Sequence, residues 1–207
     1  YGIAKTPTKE NHKINPLYPY ALSKYMGEQL SFHWHKLYKM PVNSVRIFNA
    51  YGPRVRTTGV YGAVFGVFFR QKLAKKPFTV VGNGNQKRDF VYVTDVANAF
   101  LLAATTKIKG EIFNVGAGKP QSINKLVKIL KGNKISVPKR PGEPDITHAD
   151  IKKIKRLLKW TPKVSFEKGV KLMFKEIKRW KDAPLWQPNT IKKATKLWFN
   201  YMKKYEK

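Results

Sequence analysis

The stretch Pro19-Tyr20-Ala21-Leu22-Ser23-Lys24-Tyr25-Met26-Gly27-Glu28-Gln29-Leu30 continues to Leu37. It sets Leu22, Met26, Leu30, Trp34 and Leu37 at steps of four and three, the period of one face of an α-helix. Pro41 stops that pattern, because proline has no N–H to give to a helix interior. Immediately after it, residues 42–48 carry Val42, Val45, Ile47 and Phe48, the composition of a strand. A helix handing over to a strand is the repeating unit of an α/β chain.

The same alternation extends outward. Residues 1–19 hold three prolines and predict a loop. Asn49-Ala50-Tyr51-Gly52-Pro53 is read as a break after the first strand. Residues 62–74 are apolar and helix-like, and short strands are expected at 78–81 and 90–93 around the turn Gly82-Asn83-Gly84-Asn85. Thr94 or Asp95 is expected to cap a helix reaching about Ala104, since either can accept from the orphan N–H groups of a first turn. Residues 111–115 follow as a strand, Gly116-Ala117-Gly118 as a turn, and Ser122 as the cap of a helix to Leu130. A strand near 135–137 leads into the loop Arg140-Pro141-Gly142-Glu143-Pro144, and helices are expected over 150–158, 165–180 and 190–205.

Composition narrows the classes. The 207 residues suffice for one large domain or parts of two, and 42% of them are hydrophobic, enough for a core. With no cysteine, disulfide frameworks, thiolate metal sites and Cys nucleophiles are excluded. The net charge of +30, from 42 Lys+Arg against 12 Asp+Glu, invites a polyanionic partner. The lysines, however, alternate with apolar residues at helical spacing instead of forming a block, so solvated helix faces are favoured over a nucleic-acid surface. Apolar runs such as 63–69 and 100–104 fall far short of the ~20 residues of a membrane span, and no membrane association is expected.

Two glycine-containing stretches fail as phosphate loops. Gly82-Asn83-Gly84 lacks a third glycine, Gly116-Ala117-Gly118 continues as Lys119-Pro120, and Pro120 stands where a Walker loop needs Ser or Thr. His33 and His35, two apart on a helix, face different directions and make no metal site; no metal is expected. Tyr20 and Lys24 are one turn apart on the same helix face. A free Tyr titrates near ~10, and a neighbouring ammonium stabilises its phenolate. Tyr1 and Lys5 have the same spacing, but in a Gly- and Pro-containing loop that does not align side chains. On spacing alone, a packed ring with a lysine lying along it is the favoured reading of Tyr20 beside Lys24.

In order and spacing, the motifs around that pair resemble one family. They are Pro19-Tyr20-Ala21-Leu22-Ser23-Lys24 with Glu28, Arg46-Ile47-Phe48-Asn49-Ala50-Tyr51-Gly52-Pro53-Arg54, Val81 to Val96 with Arg88-Asp89 at its centre, Phe113-Asn114-Val115-Gly116, and Arg140-Pro141-Gly142-Glu143-Pro144. Together they resemble the extended short-chain dehydrogenases/reductases that act on nucleotide-sugars as NAD-dependent epimerases and dehydratases.

The resemblance implies the fold: the C-terminal part of a doubly wound, Rossmann-type parallel sheet plus a smaller α/β substrate-binding domain. Residues 1–60 and 89–116 would belong to the NAD-binding domain, and 61–185 mostly to the substrate domain interleaved with it. Residues 186–207 would form a helical tail. It implies Tyr20 as acid/base, Lys24 on the nicotinamide ribose and Phe48 lining the nicotinamide pocket. Asn49 would contact the substrate phosphate, Arg88 and Arg140 would meet on the diphosphate or its nucleoside, and Glu143 would lie near the nucleotide ribose. Arg46, Arg54 and Asp95 are assigned to structure.

Implied with these are NAD as cofactor, a nucleotide-diphosphate sugar as ligand, a homodimer through the Tyr20 helix and a cytoplasmic location. The Gly-rich loop and the family's catalytic Ser/Thr are missing, so the chain is expected to be truncated before Tyr1. A 4-epimerase on a UDP-sugar is the expected activity. A 4,6-dehydratase, a decarboxylase and a basic binding protein on a degenerate enzyme scaffold stay open, as do the sugar and the choice of NAD or NADP.

Overall fold

The computed structural model describes residues 1–55, 64–139 and 142–205, the last four by their backbone. Its elements run α1 (Pro19–Tyr38), β1 (Ser44–Ile47), β2 (Asn49–Tyr51), α2 (Val64–Leu73), β3 (Phe78–Val81), β4 (Lys87–Arg88) and β5 (Phe90–Tyr92). They continue as α3 (Val93–Thr105), β6 (Ile112–Val115), β7 (Gln121–Ser122), α4 (Ile123–Leu130), β8 (Lys134–Val137), α5 (Lys152–Leu158) and α6 (Phe166–Lys175). A 3₁₀ turn (Ile177–Trp180) and α7 (Pro188–Tyr205) close the series. The chain is α/β, and it divides into two compact units.

The first unit comprises Tyr1–Ala50, Arg88–Pro120 and Ile146–Ser165. β1 pairs with β6 in parallel, Ser44 opposite Ile112 and Ile47 opposite Val115. A parallel pair needs cover on its faces, and α3 supplies it through Val96, Ala99 and Ala103, an i, i+3, i+7 row that is buried. Phe113, Val115, Ile154 and Trp160 complete that core. The cap expected at Thr94 or Asp95 is not there, since α3 begins at Val93 behind Tyr92 with no side-chain cap. Asp95 is instead buried in the first turn, where Oδ2 accepts from Val164 N–H at 3.0 Å. Its carbonyl accepts from Trp160 Nε1 at 3.0 Å. A tertiary partner has taken the carboxylate that sequence logic gave to the helix end.

The second unit comprises Tyr51–Lys87, Gln121–Asp145 and Phe166–Lys207. β3 pairs in parallel with β8, not with its sequence neighbour at 90–92. α2 buries Phe65, Phe68 and Phe69; Phe68 stacks on Phe78 at 4.8 Å and Phe65 on Tyr51 at 4.6 Å. Gln71 is buried among them because its amide is fully used, donating to Thr79 Oγ1 and the Trp186 carbonyl and accepting from Thr79 N–H. Ser122 caps α4 as expected, its Oγ accepting from Lys125 N–H at 3.1 Å. Gly169 is required: a Cβ there would lie 2.1 Å from the Tyr51 hydroxyl.

Candidate functional site

α1 starts with Pro19 in its first turn, where a missing N–H costs nothing. Tyr20 and Lys24 follow on the solvent side. Tyr20 is 59% exposed, and the Lys24 Nζ lies 5.6 Å from the centre of its ring. The Ser23 hydroxyl turns back to the Tyr20 carbonyl at 2.8 Å. Among the described residues no carboxylate pairs with Lys24, so the ammonium is available to a ligand beside the phenol.

What fixes this helix is a carboxylate. Glu28, one turn past Lys24, accepts from Ser44 Oγ at 2.8 Å and from Arg46 Nε at 2.8 Å through Oε2, and from Arg46 Nη2 at 2.6 Å through Oε1. The fork-on-fork geometry orients as well as binds, and both side chains are largely covered, at 8% and 16% exposure. Burial pushes the Glu28 carboxyl up, but hydrogen bonds from Arg46 and Ser44 outweigh it and hold the group below its ordinary value. Burial likewise opposes the charge on Arg46, and Glu28 more than restores it. The structural role expected of Arg46 is this pairing, with Glu28 as its partner.

The face of α1 turned to the protein is the row Ala21, Tyr25, Glu28, Phe32 and His35, all half-buried. The apolar row chosen from the sequence lies outside: Leu22, Met26, Leu30, Trp34 and Leu37 are each at least 45% exposed.

Tyr1, set aside as an accidental Tyr-x-x-x-Lys match, has work of its own. Its hydroxyl donates to Asn114 Oδ1 at 2.6 Å, and the Arg46 guanidinium sits 4.8 Å above its ring. Burial raises its titration above the usual tyrosine value, with Arg46 acting against it. Arg46 Nη1 also reaches the Glu10 carbonyl, and Glu10 Oε1 accepts from Asn114 N–H. The entry loop is thus stitched to β1 and β6.

Phe48 continues that strand, its N–H donating to the Val115 carbonyl and its ring 6.2 Å from that of Tyr1. Asn49 lies in β2, where a break was expected. Its N–H donates to the Asp89 carbonyl at 3.1 Å. Asp89 N–H donates to Thr147 Oγ1 at 3.1 Å, and that hydroxyl donates to Asn49 Oδ1 at 2.6 Å. Thr147 was not read as a site residue; it lies just past the Arg140–Pro144 motif, and nothing in its spacing marks it.

The Asp89 carboxylate, fully buried, accepts from the backbone N–H groups of Ala117, Gly118 and Ala149. Burial raises its titration and these donors oppose it. Gly116-Ala117-Gly118 is therefore an anion nest that the protein fills with its own carboxylate. Gly116 has to be glycine, since a Cβ would lie 2.7 Å from Asp89 Oδ2. Arg88, which precedes Asp89 in the chain, is buried at 8% exposure. Glu143 is half-buried in the second unit. Arg140 lies outside the described residues, so its meeting with Arg88 stays an expectation. Among the described residues no three His, Asp or Glu side chains group as a metal site, and no helix is long and apolar enough to cross a membrane.

Comparison with known proteins places this geometry. The family model of GDP-mannose 4,6 dehydratase matches residues 1–173. The UDP-glucuronate 4-epimerase of Thermodesulfobacterium geofontis is 36% identical over 179 residues, covering 83% of this chain and 54% of that protein. The UDP-N-acetyl-α-D-glucosaminuronate decarboxylase of Bacillus cytotoxicus is 33% identical over 164 residues, covering 73% and 50%. Among solved structures, UDP-glucuronic acid 4-epimerase from Bacillus cereus, in complex with UDP-glucuronic acid and NAD, superposes with a TM-score of 0.79 at 34% identity, over 86% of this chain and 58% of that one. The chain thus spans about half the length of the curated relatives it matches. With its motifs in order and the family model matched from Tyr1 onward, the chain belongs to the GDP-mannose 4,6 dehydratase family, within the extended short-chain dehydrogenases/reductases.

Proposed function

We propose that this chain carries the acid/base and substrate-binding side of an NAD-dependent nucleotide-sugar 4-epimerase acting on a UDP-sugar. The observation that supports it most directly is the Tyr20–Lys24 pair, side by side and open on the first turns of α1. That pair fits the cofactor: the Lys24 ammonium offers donors to a ribose hydroxyl, and Phe48 offers a ring edge to the nicotinamide. Bound NAD supplies the acceptor, and later the donor, of hydride at the sugar C4. Tyr20 takes the proton of the C4 hydroxyl as its C–H bond gives up hydride, and returns a proton to the oxygen when hydride comes back to the other face. Lys24 holds a positive charge beside the phenolate while it exists. Asn49 donates to a phosphate oxygen, Arg88 and Arg140 bind the diphosphate or nucleoside, and Glu143 accepts from the nucleotide ribose. Residues 1–60 and 89–116 serve the cofactor, 61–185 mostly the sugar nucleotide, and 186–207 form the tail. The outer apolar row of α1 is the surface on which two copies pair, and the location is cytoplasmic.

The decarboxylase relative favours a second reading, in which the same C4 oxidation leads to loss of a carboxylate instead of epimerisation. Both share the Tyr20 step. The test is NADH absorbance and product analysis with UDP-glucose and UDP-glucuronate, on this chain and on any longer product of its reading frame. Tyr20→Phe is expected to keep nucleotide-sugar binding and lose ~10²–10⁴-fold in turnover, the usual share of general acid/base catalysis. Undiminished hydride transfer in Tyr20→Phe would make Tyr20 a surface ring and end the assignment.

A further inference from the structure

The three hydrogen bonds around Asn49 admit one arrangement of protons. The Asp89 N–H can only donate, so Thr147 Oγ1 is its acceptor, at 3.1 Å. The one hydroxyl proton of Thr147 then points to Asn49, and at 2.6 Å the atom receiving it is Oδ1. Were the amide turned over, the hydroxyl and the amide N–H would face each other as two donors, or the hydroxyl proton would need an acceptor that no described residue supplies. Amide oxygen and nitrogen are told apart by such networks. The ring closes through Asn49 N–H to the Asp89 carbonyl.

The backbone around Thr147 is itself pinned. Thr8 N–H donates to the His148 carbonyl at 2.8 Å, and Ala149 N–H donates to Asp89 Oδ2 at 2.8 Å. Thr147 is therefore not a loop residue that follows Asn49; it is the fixed member of the pair. With Oδ1 used, both Nδ2 protons of the half-buried Asn49 remain, and no described residue accepts from them.

We infer that Thr147 is a positioning residue for substrate: it holds the Asn49 amide with its NH₂ edge outward, as a donor to an anionic oxygen of the nucleotide-sugar. This rests on the phosphate contact proposed for Asn49 above, and it adds the residue that sets which edge of the amide the ligand meets. The polarity matters, because an outward carbonyl oxygen would repel a phosphate that an outward NH₂ binds.

A double-mutant cycle tests it on the 207-residue chain, with calorimetric binding of UDP and UDP-glucuronate and melting temperatures measured in parallel. Thr147→Val is expected to weaken binding by ~10-fold, the value of one hydrogen bond to a charged group, when Asn49 is present, and to change it little in an Asn49→Ala background. Thr147→Ser should restore binding. Asn49→Asp should keep the melting temperature, because a carboxylate still accepts from Thr147, yet lose binding, because it offers oxygen where NH₂ stood. Equal weakening by Thr147→Val in both backgrounds would make Thr147 structural and overturn the inference. Failure of the unmodified chain to bind either nucleotide would instead count against the proposed function. The melting cycle then still decides the pair, and absence of coupling between Thr147→Val and Asn49→Ala removes the hydrogen bond on which the inference stands.

Discussion

Helices α1 and α3 belong to the same unit and are held in opposite ways. α3, 13 residues long, buries Asp95, Val96, Ala99 and Ala103. α1, 20 residues long, buries none. α3 is seated mainly by non-directional apolar contact, with small residues that let it lie close to the strands, and Asp95 adds hydrogen bonds at its first turn. α1 has only half-buried side chains on its inner face, and among the described residues one ion pair, Glu28 with Arg46, orients it through a geometry that admits a single arrangement. Apolar contact fixes how deeply a helix sits and leaves its rotation loose, whereas a bidentate pair fixes the rotation. A helix proposed to aim Tyr20 and Lys24 gains more from the second.

The sharpest way to break that contrast is to place one charge on each helix. Ala99→Asp in α3 puts a carboxylate at a position with no solvent exposure, inside an apolar cluster. An uncompensated buried charge costs about 3–5 kcal/mol, a large part of the stability of a domain, so the first unit should unfold or lose most of its melting temperature. A change under about 1 kcal/mol would mean that α3 is as loosely seated as α1.

The next effect is at the ion pair. Glu28→Gln keeps the shape and one acceptor oxygen but removes the charge facing Arg46, and should cost about 3 kcal/mol. It also sharpens the comparison through pH. The Glu28 carboxyl titrates lower in the folded protein than its ordinary 4.5, so its contribution is fully present above that value and is lost as pH falls through it towards the folded value. Asp89 runs the other way: raised above 3.8, it costs stability as pH rises from there to its folded value. Subtracting the Glu28→Gln stability profile from that of the unmodified chain isolates the first term. A difference that does not shrink below pH ~4.5 would show that Glu28 acts through packing and not through charge.

The same contrast shows what was legible in the sequence. The existence and order of the helices came through, because periodicity and caps such as Ser122 are local. The role of each face did not. Leu22, Met26, Leu30, Trp34 and Leu37 are the more apolar row of α1, yet Ala21, Tyr25, Glu28, Phe32 and His35 turn inward, because the pairing of Glu28 with residues 16 and 18 positions away decides the rotation. Asp95 left the cap for Val164 for a similar reason. The placing of Tyr20 beside Lys24 on α1 was readable from spacing, whereas the roles proposed for Asn49 and Arg88 come from motifs alone. The hydrogen bond from Thr147 to Asn49 was not readable, since it spans 98 positions and a threonine in a loop carries no signal of that.

The smallest stability effect is expected where the sequence promised a core. Leu30 sits mid-way along α1 at 59% exposure, so Leu30→Asp removes little buried surface and places its charge in water. Surface substitutions of this kind usually stay within ±0.5 kcal/mol, with a few tenths more lost to the poorer helix propensity of Asp. The melting temperature of the monomer should hardly move. What should move is association: five large apolar side chains exposed in one row form the kind of patch that marks an interaction surface, and two copies pairing along α1 would bury Leu30 near its centre. Sedimentation of the unmodified chain is then expected to report dimers, and that of Leu30→Asp monomers, with equal secondary structure in both. If Leu30→Asp lowered monomer stability by several kcal/mol, the outer row would be packed within a single copy, and α1 would be a second α3. If both proteins sediment as the same species, the row serves some purpose other than pairing two copies, and the rotation set by Glu28 would have to be explained by the placement of Tyr20 and Lys24 alone.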